Sequence, residues 1–338
     1  MLLESFYRLG VQIHRVLVRP ERIPAMVISV GNITTGGTGK TEFVIKIVEH
    51  LSDRNIAILS RGYRGRLETK GGVVTERSSP EDVGDEPAMM AERVNCPIIV
   101  GKDRRRQAKW AIRNLGTDIF ILDDGFQYRG LLYDINILLI NGRDPFGNNR
   151  LLPRGRLREP LSAIGRADII VVTKTETADR ALIQKIREHN LSAPIFFAKY
   201  QPKELLDGEE RRVPLSFLKG KSVLAVSSIA DPLHFEEMLT KLCQDVKPLR
   251  FPDHHWFRDE DIRRIEMEAF CSDMVVSTLK DRVKLKGKLP FFSLVIEPLI
   301  EEGFYQQISE LTSHGRTCIS SHYHKDRADS FQPFSSLV

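Results

Sequence analysis

Six short runs of consecutive apolar, mostly β-branched residues punctuate the first half of the chain: 26–30 (MVISV), 56–59 (IAIL), 97–100 (PIIV), 119–122 (IFIL), 135–140 (INILLI) and 169–172 (IIVV). Stretches of helical period separate several of them, at 41–52, 86–94 and 103–115. Strands apolar at every position are buried on both faces, which predicts a mostly parallel sheet flanked by helices, an α/β architecture. The interval between 122 and 135 is short enough to predict an antiparallel strand there. After the charged stretch 174–190, a second block predicts strands near 194–199, 223–227, 275–278 and 292–297 and helices near 233–243, 259–270 and 302–314. The expected division is an N-terminal helical segment (1–22), a core domain (23–178), a smaller α/β domain (179–319) and a loose polar tail (320–338).

Residues 2–19 read as one helix stopped by Pro20. At ~100° per residue, Leu2, Phe6, Leu9, Ile13, Val16 and Leu17 fall on one side and Arg8, Arg15, Arg19 and Arg22 nearly opposite. This pattern suits either an interfacial helix on an anionic membrane or a helix packed on its own domain.

Composition narrows the class. The 338 residues are 41% hydrophobic and 28% charged, a globular mix that excludes fibrous and disulfide-scaffold proteins. No apolar run reaches the ~18 residues of a membrane span, and Arg8 and Arg15 break any signal-peptide core, so a cytosolic protein is expected. Four cysteines stand far apart without a CxxC pair, which argues against a metal cluster or redox dithiol. The net charge of +5 is mild, but basic residues cluster at 102–113 and 150–158, as either solvated faces or sites for an anionic partner.

The strongest chemical signal is VGNITTGGTGKT at 30–41, between a strand and a helix. It resembles the phosphate-binding G-x-x-x-x-G-K-[ST] loop, with Thr34 in place of the first glycine. Residues Thr34, Thr35, Gly36, Gly37, Thr38, Gly39, Lys40 and Thr41 are expected to cradle nucleotide phosphates, Lys40 reaching the β/γ-phosphates and the Thr41 hydroxyl a Mg²⁺ ion. Asp123 and Asp124, at the end of the 119–122 strand, are the expected metal carboxylates, Asp123 the better placed. Asp85, in GDEP, reads as a helix N-cap or as a general base. FPDHHW at 251–256 places His254 and His255 on opposite sides, so one alone can serve a site. Lys174, in TKTE, loosely matches a base-reading element, whereas Asp231 and His234 read as polar groups without a role.

Taken together, VISVGNITTGGTGKT (27–41), LSRGYRG (59–65), VGDEPAMMA (83–91), FILDDGFQYR (120–129), NRLLPRGRLREPL (149–161), ADIIVVTK (167–174) and FPDHHWF (251–257) resemble the tetraacyldisaccharide 4'-kinase family, in that family's order. Tyr128 stands where the family usually has His. The resemblance implies an ATP- and Mg²⁺-dependent lipid kinase that phosphorylates the 4'-hydroxyl of a tetraacylated glucosamine disaccharide 1-phosphate to give lipid IVA, in lipid A biosynthesis. It implies Asp85 and His254 as a catalytic acid–histidine pair alongside Lys40. Thr41, Asp123, Asp124 and Glu159 become the metal neighbourhood, and Arg104, Gln127 and Arg158 the substrate contacts. It further implies peripheral attachment to the anionic cytoplasmic face of the bacterial inner membrane, with neither nucleic acid nor an obligate protein partner. A partition-type ATPase would lack LREP and PDH and carry Lys at position 35; a GTP switch would need a better base-reading element than TKTE.

Overall fold

The computed structural model describes residues 18–314 except 76 and 178. The expected N-terminal helix therefore lies almost wholly outside the described residues, as does the tail from 320. Thirteen strands among the described residues form one sheet: β1 (Met26–Gly31), β2 (Ile56–Ser60), β3 (Gly72–Val73), β4 (Ile98–Val100), β5 (Ile119–Asp123), β6 (Ile135–Asn141), β7 (Ile169–Thr173), β8 (Ile195–Leu206), β9 (Arg212–Val213), β10 (Ser222–Ser227), β11 (Asp245–Arg250), β12 (Met274–Thr278) and β13 (Phe292–Ile300). Their order is β11-β10-β12-β13-β8-β7-β6-β1-β5-β2-β4-β3, with β9 beside β8.

The all-apolar runs occupy the middle of this sheet, with both faces covered. On one face, helix Lys40–His50 sets Phe43, Val44 and Ile47 against Ile28, Val30, Ile58 and Ile121. On the other, helix Arg104–Leu115, capped by Asp103, sets Ala108 and Ala111 against Val27, Ala57, Leu59 and Phe120. A fully buried side chain such as Phe43 contributes roughly 1.5–3 kcal/mol over leaving it exposed.

One expectation is corrected. No antiparallel strand occupies the interval between 122 and 135: β5 and β6 both pair parallel with β1, on opposite sides of it. Arg22, counted with the basic stripe of the first helix, pairs with Asp134 at 2.9 Å. The division expected near 178 falls just after β7, and the sheet continues across it. Ile195–Ala198 of β8 runs parallel to β7, and Ala198–Leu206 runs antiparallel to β13, with a register shift between Val295 and Ile296. Beyond β8, strands β10, β12 and β13 are parallel and carry helices Pro232–Thr240 and Asp259–Ala269.

Candidate active site

A cleft of about 890 Å³ opens where the two ends of this sheet face each other. One wall carries the phosphate loop, Asp85, Asp123 and Asp124; the other carries Asp231, His234, His254 and Lys280.

The phosphate loop leaves β1 and is braced from both sides. Thr34 bridges antiparallel to Leu157, and the Thr35 amide donates to the Arg156 carbonyl at 2.7 Å. The Asn32 amide donates to the Thr38 hydroxyl at 3.1 Å, turning the buried Thr38 inward. Gly36, at φ 123°, passes so close to Arg156 that a Cβ would lie 2.4 Å from the guanidinium. Gly37 faces Asp231 across the cleft. Gly39 caps the helix in the left-handed region, and Lys40 and Thr41 begin it with their side chains lining the cleft.

Asp123 ends β5 and Asp124 follows it at φ 51°. The Asp124 carboxylate lies 3.4 Å from Lys40 Nζ and 2.8 Å from an Arg158 guanidinium nitrogen. Burial acts to raise its pKa, but these cations and Arg104 hold it well below the usual carboxylate range. Asp123 is different. Burial, with the nearby charges of Glu86 and Asp124, pushes its carboxyl up to about 7. Ser60 donates to one of its oxygens at 3.1 Å, and the other, Oδ1, is buried without a protein partner.

Arg104 is buried, donates to the Asp124 carbonyl at 3.1 Å and lies over the Tyr128 ring at 5.3 Å. Tyr128 in turn accepts the Arg105 amide at 3.0 Å, so the residue in the family's His position props a cleft arginine. Gln127 lines the cleft and donates to the Asn32 carbonyl at 2.7 Å. Glu159 departs from expectation. Arg166 reaches both its oxygens at 2.8 Å, Gln127 reaches one at 3.1 Å, and the side chain does not line the cleft. Its carboxylate is committed to bracing the loop rather than open to a metal.

Asp85 is likewise not a side-chain cap. Gly84 is the N-cap of helix Asp85–Ala91, at φ 91°, and Asp85 is its first residue. The buried Asp85 carboxylate lies 3.0 and 2.9 Å from His254 Nδ1 and accepts the Glu86 amide at 2.9 Å. Burial acts to raise its pKa; the His254 hydrogen bond and the Lys280 and Lys284 ammonium groups outweigh that and bring it down to about 2. His254 itself is held at φ 59°, with its amide donating to Ser228 and its carbonyl accepting from Arg64. A non-glycine residue in that region is strained, and such strain marks a geometry the surrounding contacts enforce. His255 points away, stacks on Phe251 and pairs with Asp261 at 2.9 Å.

Several cleft residues escaped the sequence reading. Lys174, itself expected, is ion-paired to Asp231, the N-cap of helix Pro232–Thr240, and His234 lies one turn further on. Lys280 and Lys284, four apart on helix Leu279–Leu285, both face Asp85, at 3.9 and 3.7 Å. The one signal in the sequence is Thr278 as a cap followed by two lysines at i, i+4 spacing, and that pattern usually denotes a solvated face. Of the two basic clusters, Lys102, Arg104 and Arg158 line the cleft, while Lys109 and Arg156 pair with Glu21 and Asp144 at 2.6 Å.

Known proteins resemble this chain over most of its length. The family model described as tetraacyldisaccharide-1-P 4'-kinase matches residues 1–312. The tetraacyldisaccharide 4'-kinase of Syntrophus aciditrophicus is 38% identical, over 92% of this chain and 91% of that protein. The one from Halothermothrix orenii is 37% identical, over 84% and 81%. A crystal structure of LpxK from Aquifex aeolicus in complex with ATP superposes with a TM-score of 0.74 at 31% identity, covering 93% of this chain and 97% of that one. Matched by the family model over residues 1–312 and by relatives along most of its length, the chain belongs to the tetraacyldisaccharide-1-P 4'-kinase family.

Proposed function

We infer that the cleft carries the γ-phosphoryl group of ATP to the 4'-hydroxyl of a tetraacyldisaccharide 1-phosphate, the kinase step of lipid A biosynthesis, with Asp85 taking the hydroxyl proton. The acceptor oxygen forms a bond to phosphorus, the bond to the β-phosphate oxygen breaks, and ADP leaves. The observation that carries this assignment of roles is the Asp85–His254 pair, which faces the same cleft as Lys40. Asp85 is ionised at neutral pH, the form a proton acceptor needs. His254 holds the carboxylate in place. The loop amides and Lys40 oppose the charge on the transferring group, where phosphoryl transfer draws most of its acceleration. Arg104, Gln127 and Arg158 line the same cleft and suit the phosphates of either substrate.

The residues present fit Mg²⁺. Asp123 has a buried carboxylate oxygen without a protein partner, and the Thr41 hydroxyl and Asp124 line the same cleft. An ion of this kind is usually held by one or two carboxylates together with substrate phosphates. Asp123, Asp124 and Thr41 would hold the ion, which supplies positive charge beside the phosphates.

A lipid acceptor also favours the interfacial reading of residues 2–19, docked on the cytoplasmic face of the bacterial inner membrane. No helix among the described residues is long and apolar enough to cross a membrane.

The test is a mass measurement. The protein with ATP, Mg²⁺ and acylated disaccharide 1-phosphate should add one phosphate to the lipid, and a folded Lys40→Ala variant should lose this by orders of magnitude. ATP consumption without lipid phosphorylation, or full activity in Lys40→Ala, would refute the assignment.

A further inference from the structure

The side of His254 that faces away from Asp85 is occupied. Lys280 Nζ lies 3.0 Å from His254 Nε2, 3.2 Å from Asp253 Oδ1 and 3.4 Å from Glu86 Oε1. An ammonium has three protons and no acceptor, and here three acceptors surround it. Its side chain is only 14% exposed, and helix Leu279–Leu285, which carries it, packs directly on helix Asp85–Ala91.

That contact decides the protonation of the ring. A donor this close to Nε2 needs a lone pair there. Nδ1, 2.9 Å from a carboxylate that can only accept, needs a proton. Both conditions hold together only for the neutral imidazole protonated at Nδ1. The competing acceptor for an Nε2 proton, Asp253 Oδ2, is more distant at 3.8 Å. The other groups around the ring are the Tyr63 edge, at 5.4 Å between centroids, and Arg64, which binds the backbone carbonyl rather than the ring. The opposite tautomer would set an Nε2–H against the ammonium and a lone pair against the Asp85 carboxylate, two repulsions in place of two hydrogen bonds.

We propose that Lys280 is a positioning residue that fixes His254 as the neutral Nδ1–H tautomer, so that the imidazole orients Asp85 and does not itself compete for the proton of the acceptor hydroxyl. Burial pulls the Lys280 ammonium toward neutrality, but the Glu86, Asp85 and Asp253 carboxylates outweigh this and raise its pKa, so it remains a cation and a donor. The role rests on Asp85 as proton acceptor; the tautomer itself does not.

Ring ¹⁵N spectra of the ligand-free full-length protein test the tautomer directly, with the His254 signals assigned by their loss in His254→Ala. The wild type should show Nε2 unprotonated and Nδ1 protonated at neutral pH. Lys280→Met, of similar length without a donor, should show Nε2 protonated in a substantial fraction, and Lys280→Arg should keep the wild-type pattern. In turnover, Lys280→Met should lower kcat about 10-fold or more with KM for ATP nearly unchanged. In a His254→Ala background the same substitution should cost much less, leaving only the direct effect of the ammonium on the Asp85 carboxylate. A protonated Nε2 in the wild type overturns the proposal, and so does an undiminished effect of Lys280→Met without the histidine. Should Lys280→Met not fold, the wild-type spectrum still decides the tautomer and Lys280→Gln supplies the kinetic arm. Normal tautomer behaviour combined with full activity in Asp85→Asn would refute the base assignment and leave the tautomer standing.

Discussion

The Tyr200 hydroxyl donates to the Gly39 carbonyl at 2.9 Å, so β8 clamps the last glycine of the phosphate loop. Tyr200 is buried, and a Cβ on Gly39 would lie 2.2 Å from that hydroxyl. Gly39 also sits at φ 78°, where an L side chain costs roughly 1–2 kcal/mol. Gly39→Ala should therefore abolish ATP binding. Tyr200→Phe should weaken it several-fold and lower stability by about 1 kcal/mol, the usual net worth of a hydrogen bond. Calorimetric titration with ATP and urea unfolding check both; unchanged values in Tyr200→Phe would show that the clamp contributes nothing.

Asp85→Asn keeps the shape of the side chain and removes the base. It should reduce kcat on the order of 100-fold or more while KM for ATP stays close to wild type, since Lys40 and the loop amides are untouched. Steady-state kinetics with saturating lipid acceptor measure this. A variant with lowered melting temperature and intact kcat would mean the carboxylate serves only the fold.

The same residue gives a pH dependence with a definite sign. The Asp85 carboxyl lies at about 2 in the folded protein against 3.8 ordinarily. Its ionised form therefore stabilises the fold above pH ~4, and that contribution disappears as acid carries the folded carboxyl through its own titration. The difference corresponds to about 2 kcal/mol at neutral pH. Wild type and Asp85→Asn should differ in urea midpoint at pH 7 and converge toward pH 2; a constant offset would contradict the linkage.

The proposed membrane docking by residues 2–19 would have an electrostatic part. With Arg22 paired to Asp134, the arginines to test are Arg8, Arg15 and Arg19, each worth about 1 kcal/mol near an anionic surface. Replacing all three by Gln should reduce co-sedimentation with anionic liposomes, more at low salt than at high. Equal sedimentation of both proteins, independent of salt, would place the helix against its own domain.

Those features with a local cause were legible beforehand. Glycines followed by Lys40 and Thr41 between a strand and a helix have few other uses, and two acids ending an apolar run stood out as Asp123 and Asp124. Pairing order has no local cause. The chain segments β5 and β6 are consecutive yet flank β1, because strands apolar on both faces seek the centre of the sheet and a short connection does not oblige them to pair. Strand β11 went unseen since DVKPLR carries charges and Pro248, as an edge strand can. Asp231 read as a polar group without a role, and Lys280 carried no signal of its own. Only the approach of the two ends of the sheet brings them to the cleft. Glu159 failed in the opposite sense: its neighbour in space, Arg166, follows seven residues later and nothing in the pattern announces that it takes the carboxylate.

Asp124, held between Lys40 and Arg158, gives the cleft a resident counter-ion. Before any nucleotide arrives, two of the cations lining the cleft already share one anion, which eases the repulsion between them. It also makes the cleft a poor trap for stray monovalent anions, since an incoming ligand must offer both cations more than one carboxylate does. A triphosphate can, through several oxygens at once. Binding is then an exchange of one anion for another rather than the filling of a bare positive hole, so discrimination in favour of polyphosphate is built in before any contact with the base or the sugar.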